Sequence, residues 1–354
     1  MPSSTSSSEP ITPRRPWLRS FALGLLLASV GLGGTEMFLR SQGHRPSVID
    51  NKALWAWHRH RVYDRDGKKT VVLLGASRIQ LGFVPAKFEQ AFPGYRVVQL
   101  AVDGHQAAAT LLDLARDARF TGIVLWSATC ASLRRNARYD QQAWVDYYHD
   151  RSGSLWMVGK ELGLEVSLAL QERFALVYPA VRPDTFVKTL IRKQTLPRPF
   201  YLTTSRDRSR MAAYTIADIG HLRRYGIAVE AHTRPSTKQW LREALCYEPW
   251  IQEIKNRGGD VVLVRYITTG EHWARDERSY PKALYWDELA KRTGATTVHF
   301  ADVPSLRDYE CPDFSHLDAR DAGRYTVALG NELARRGVIK CAASPTVGHP
   351  DSGD

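Results

Sequence analysis

Five short apolar runs rich in β-branched residues punctuate the chain, at 70–75, 96–101, 122–127, 260–267 and 296–301. Each is continuous rather than alternating, which is the pattern of strands covered on both faces. Helical spacing of apolar positions follows at about 106–118, 237–257, 280–293 and 319–336. Strand-then-helix repetition predicts an α/β fold: a doubly wound, parallel five-stranded sheet of the flavodoxin-like kind. Residues 128–259 break the alternation. A crossover needs only a dozen or so residues, so this stretch is expected to be a large, mostly helical insertion beside the sheet.

The ends have a different pattern. Residues 1–16, rich in serine, threonine and proline, are expected to be a disordered tail, and the small, polar residues 342–354 a flexible one. Residues 17–39 are apolar and long enough for a membrane helix, which takes about 20 residues. Arg14, Arg15 and Arg19 lie before or at its start. The positive-inside bias therefore places the N-terminus in the cytoplasm and the main domain outside it, on a single-pass signal anchor. A cleaved signal peptide, with Gly31-Leu32-Gly33 as its small-x-small site, and a buried soluble helix stay open. Residues 40–69 carry Trp55, Trp57, His58, Arg59, His60 and Arg61, and are expected to be a juxtamembrane linker near lipid headgroups. The His58-x-His60 pair has no third ligand beside it to make a metal site.

Composition adds limits. Hydrophobic residues make up 44% and charged residues 24% of 354, which excludes a wholly disordered chain and a polytopic membrane protein. Forty-nine basic against 37 acidic residues give +12, which suits an anionic surface or ligand. The basic residues are scattered, and no zinc-finger, RNA-recognition or Walker pattern occurs, so nucleic acid is not an expected partner. Cys130, Cys246, Cys311 and Cys341 fit an oxidising compartment without requiring one, and contain no close metal-binding pair.

The candidate chemistry sits at the strand ends. The first run closes with Gly75-Ala76-Ser77-Arg78, putting Ser77 where ligands bind in doubly wound folds. A serine that only caps the next turn is the plainer reading. A serine nucleophile needs a base, usually a histidine oriented by a carboxylate. Three D-x-x-H pairs occur: Asp146/His149, Asp218/His221 and Asp313/His316. Only Asp313/His316 follows the fifth strand and precedes the last helix; the others fall in the insertion as solvated or capping residues. Arg78 is a candidate for binding an anionic part of a substrate, or for pairing with an acid. The run from Tyr201 to Arg210 reads as a solvated face, or as the lining of a polysaccharide groove.

The order of a G-x-S block, a glycine block after the second strand and a C-terminal D-x-x-H resembles the SGNH (GDSL-like) hydrolases. It is most similar to their membrane-anchored, exported branch associated with acyl groups on cell-surface polymers. The resemblance implies Ser77 as nucleophile, Asp313 and His316 as acid and base, and the N–H groups of Ser77 and Gly104 as oxyanion donors. It covers roughly 70–128 and 259–337, within an expected α/β domain of 70–341. The third block departs: where the family carries an oxyanion asparagine, this chain has Trp126-Ser127-Ala128-Thr129-Cys130. Thr129 or Ser127 substitutes, or Asn136 reaches back, or catalysis is weak or absent. The implied activity is that of a serine-dependent esterase or O-acyltransferase on an acylated envelope or secreted carbohydrate polymer. A catalytically inactive binding or assembly subunit is the alternative. Neither a metal nor an organic cofactor is implied.

Overall fold

In the computed structural model, residues 16–134, 140–151, 155–181, 183–193, 198–228 and 235–340 are described. The tails, Asn136 and Cys341 therefore lie outside, apart from Pro16. The chain forms two compact units, Met1–Pro46 with Phe174–Pro199, and Ser47–Arg173 with Phe200–Asp354.

The larger unit holds a parallel sheet of β1 (Lys69–Leu74), β2 (Tyr95–Gln99), β3 (Ile123–Ser127), β6 (Asp260–Arg265) and β7 (Thr296–His299). Between β3 and β6 a small antiparallel hairpin adds β4 (Leu202–Thr204) and β5 (Arg210–Ala212). The order in the main sheet is β2-β1-β3-β6-β7. This is the doubly wound arrangement, with its order reversing between β1 and β3. Alternate side chains go to opposite faces, as the pleat requires. Val72, Leu74, Val124, Trp126, Val261 and Leu263 enter one core. Val71, Leu73, Ile123, Leu125, Val262 and Val264 enter the other. Both faces are dry, which is why the runs were continuous in sequence.

Segment 47–69 is not the expected linker. Asn51 accepts the Ala53 and Leu54 amides, each at 3.0 Å, and so starts a helix over Lys52–Arg59. Trp55 on that helix is fully buried and donates its indole N–H to the Leu100 carbonyl at 2.9 Å. Arg59 is equally buried and bonds Asp113 (2.5 Å) and Asp117 (3.0 Å). His58 reaches the Arg206 carbonyl. Burial, aided by the nearby Arg208 charge, pushes its pKa down to about 3, so the ring is neutral. Aromatic and basic composition suggested a lipid interface; the core takes these residues instead.

Two helices also differ from their expected spans. The 237–257 pattern splits into Thr237–Ala244 and Glu248–Asn256, the second with Pro249 in its first turn. The 280–293 pattern yields only Trp286–Ala290 after a 3₁₀ turn, while Gly270–Ser279 is helical. The fifth strand stops at His299, where a 3₁₀ turn over Phe300–Asp302 begins.

In the smaller unit a helix over Pro16–Ser41 exposes its apolar side chains, among them Leu23, Leu27 and Val30. Its 26 residues span about 39 Å at 1.5 Å each, against a hydrocarbon layer of about 30 Å. Residues Trp17–Ser41 are long and apolar enough to cross a membrane. Glu36 accepts the Ala175 and Leu176 amides, each at 3.0 Å, and pairs with Arg40 at 2.6 Å.

Candidate active site

The turn after β1 is shaped by Gly75. Its φ is +132°, and a Cβ there would sit 2.8 Å from the Ser127 carbonyl oxygen. Only glycine lets β1 pass that close to the end of β3. The Gly75 carbonyl accepts the Val102 amide and the Gln141 side chain, both at 3.1 Å. These bonds tie the loops after β1 and β2 together. Ser77 then opens a short helix, Ser77–Gly82, so its N–H has no partner within that helix.

On the far side, Asp313 and His316 lie between β7 and the last helix, Ala319–Arg335. The His316 Nε2 is 2.8 Å from the Ser77 hydroxyl, and its Nδ1 is 2.8 Å from Asp313 Oδ2. Residues separated by 239 positions thus meet in one chain of hydrogen bonds. With Nδ1–H donated to the carboxylate, Nε2 is the acceptor facing the serine proton. Asp313 Oδ1 accepts the amides of Ser315 (2.9 Å) and His316 (2.8 Å). Burial raises the Asp313 pKa, but His316, then the Tyr214 hydroxyl and the Ser315 amide, outweigh it. The carboxyl is held well below its ordinary range and stays ionised.

The other two D-x-x-H pairs form no such chain. His149 bonds Asp113 at 2.5 Å, while Asp146 accepts from Gln142. Asp218 accepts the His221 backbone amide and so caps a helix rather than orienting a ring.

The proposed oxyanion donors sit in different states. Gly104 lies in the turn after β2 at φ +71°, and a Cβ there would meet nothing within 4 Å, so this surface is open. Thr129 follows β3, but its amide donates to Ser132 Oγ (2.8 Å) and its hydroxyl accepts the Ser132 amide (3.0 Å). Ser127 packs against Gly75. Arg78 is committed elsewhere: it reaches His272 Nε2 at 2.6 Å and Ser315 Oγ at 3.3 Å. Burial and then the Arg78 charge push His272 down to about 3, leaving a neutral ring that accepts from this guanidinium. Arg78 therefore braces the loop carrying His316.

Sequence reasoning missed two residues. Tyr214 donates its hydroxyl to Asp313 Oδ2 at 2.7 Å. Arg208, expected on a solvated face, is fully buried; it bonds Asp50 at 2.7 and 3.0 Å, and the carbonyls of Gln99 (2.7 Å) and Ala101 (3.1 Å). It fastens the β4–β5 hairpin to the end of β2. Nothing local in sequence marks either residue; the basic run hid one, and Tyr214 lies 99 positions from Asp313.

No family model matches the chain, and no curated protein matches it. Among solved structures it is similar to one titled "Crystal Structure of TesA". The identity is 12% and the TM-score 0.34, over 75% of this chain and 99% of that one. A likeness of that degree decides nothing about this chain; the fold class rests on its strand order and direction.

Proposed function

We propose that the protein is a serine-dependent acyl-ester hydrolase or O-acyltransferase. The observation that carries this reading is the unbroken Ser77–His316–Asp313 chain at 2.8 Å per link, at the carboxyl ends of the strands. His316 takes the Ser77 proton as Ser77 Oγ attacks the ester carbonyl carbon. Asp313 holds the imidazolium that forms. The tetrahedral oxyanion lies against the N–H groups of Ser77 and Gly104. Its collapse expels the alcohol, which takes the proton from His316, and leaves an acyl-serine. Water or a sugar hydroxyl then attacks that ester by the same steps in reverse.

The substrate we infer is an acylated envelope or secreted polysaccharide. Its support is the apolar N-terminal helix with basic residues before it, from which we infer a site outside the cytoplasm, together with the block order in the sequence. A second reading, an inactive binding or assembly subunit, is favoured by one observation. The third block lacks its asparagine, and the Thr129 amide is taken by Ser132. One oxyanion hydrogen bond is worth about 3 kcal/mol, or roughly a hundred-fold in rate.

A fluorophosphonate that forms a covalent adduct with activated serines separates the two. Labelling of the full chain that Ser77→Ala abolishes is the expected result. A folded wild type that never labels, and turns over no small acetyl ester, overturns the catalytic reading in favour of the inactive one.

A further inference from the structure

We propose that Tyr214, from the segment between β3 and β6, is a positioning residue of the Ser77–His316–Asp313 site, fixing the Asp313 carboxylate and tempering its hold on the imidazole. This rests on the catalytic reading above.

An ionised carboxylate has about four lone-pair sites. Here all four are filled: Oδ1 by the Ser315 and His316 amides, Oδ2 by the His316 ring and the Tyr214 hydroxyl. Asp313 and Tyr214 are both buried. Without the phenol, a lone pair of Oδ2 would be left inside without its donor, and three bonds rather than four would hold the carboxylate.

Tyr214 is held for this contact from several sides. Its ring packs with Leu81 and Ala212, and lies 5.8 Å from the Tyr201 ring. Its backbone amide also helps hold low the carboxyl of Asp318, the residue that caps the helix Ala319–Arg335. Burial and then the Asp313 charge push the Tyr214 pKa far above its ordinary value, so the hydroxyl remains a donor throughout the working range.

A donor on Oδ2 draws charge from the carboxylate, and that charge is what stabilises the imidazolium. Removing the hydroxyl leaves the full charge facing His316, so the imidazolium forms more easily. The acid limb of the pH–rate profile then moves to higher pH. Tyr201 and Cys311 are both pushed up by burial, and Asp318 is held low by Arg320 despite its burial. Arg223 donates to the Pro312 carbonyl, and Arg78 to Ser315 Oγ.

The test is Tyr214→Phe in the full chain, read by the pH dependence of fluorophosphonate labelling and by NMR titration of the His316 ring. The expected result is a midpoint raised by about half a unit, a three-fold change in proton affinity, with plateau labelling slowed several-fold. A folded variant whose midpoint and plateau match wild type overturns the proposal and leaves Tyr214 a packing residue. Should Phe unfold the chain, 3-fluorotyrosine incorporated at position 214, a stronger donor of the same shape, is expected to lower the midpoint; no movement overturns the proposal equally. The ring titration needs no turnover. A midpoint that moves in a protein that never labels therefore supports Tyr214 while sinking the esterase reading.

Discussion

Replacing Gly75 by alanine should damage both the fold and the placement of Ser77. At φ +132° an L-residue is strained by about 1–3 kcal/mol. The added Cβ would also lie 2.8 Å from the Ser127 carbonyl oxygen and 3.0 Å from the Ser127 Cβ. Backbone cannot swing aside as a long side chain can, so β1 and β3 must separate by a few tenths of an ångström. Overpacking of this kind costs a further 1–3 kcal/mol or so. The sum, roughly 2–6 kcal/mol, is a large part of an ordinary domain's stability of about 5–15 kcal/mol. Ser77 is two residues on, and a misplacement of about 1 Å at a reacting atom costs about a hundred-fold in rate. Gly104→Ala is the internal control: it also has a positive φ, but its Cβ would enter open space. There the expected loss is about 1–2 kcal/mol from the left-handed backbone, with labelling within ten-fold because the amide remains. Urea denaturation gives the stabilities, and fluorophosphonate labelling of Ser77 gives the rates. If Gly75→Ala unfolds within about 0.5 kcal/mol of wild type and labels at the wild-type rate, the close approach of the two strands does not set the serine.

His316→Ala should abolish labelling and Asp313→Asn should lower it by up to about 10⁴-fold, whereas His149→Ala and His221→Ala should stay within a few-fold of wild type. The depressed Asp313 pKa stabilises the fold above the unfolded carboxyl's value and is lost as pH falls through the folded one. The stability gap between wild type and Asp313→Asn, measured by urea titration, should thus narrow below about pH 4. Arg59→Met should destabilise by about 3–5 kcal/mol, because Asp113 is left buried and short of its cation; an unchanged melting curve would show that the pair contributes nothing. A reporter fused after Asp354 should be active only in an exported compartment, and activity in the cytoplasm would overturn the proposed location and substrate together.

The sequence by itself determined the sheet and the ends of the Ser77–His316–Asp313 chain. Continuous β-branched runs can persist only where both faces are covered, so the five strands were visible from residues 70 to 301. The crevice at their carboxyl ends follows from that topology, which is why position alone separated Asp313/His316 from two pairs of identical spacing. Local pattern was silent wherever a residue's role depends on a distant partner. Trp55 and Arg59 read as membrane-facing because composition cannot distinguish a lipid interface from a core wall; Leu100 and Asp113 make that choice in space. Arg208 read as solvated because a run of charges usually is, and only Asp50 with two strand-end carbonyls draws it inside. Tyr214 is the sharpest case. A hydrogen bond from a hydroxyl to a carboxylate 99 residues away leaves no periodicity in the chain, and the long-range packing that creates it exists only after the fold has formed.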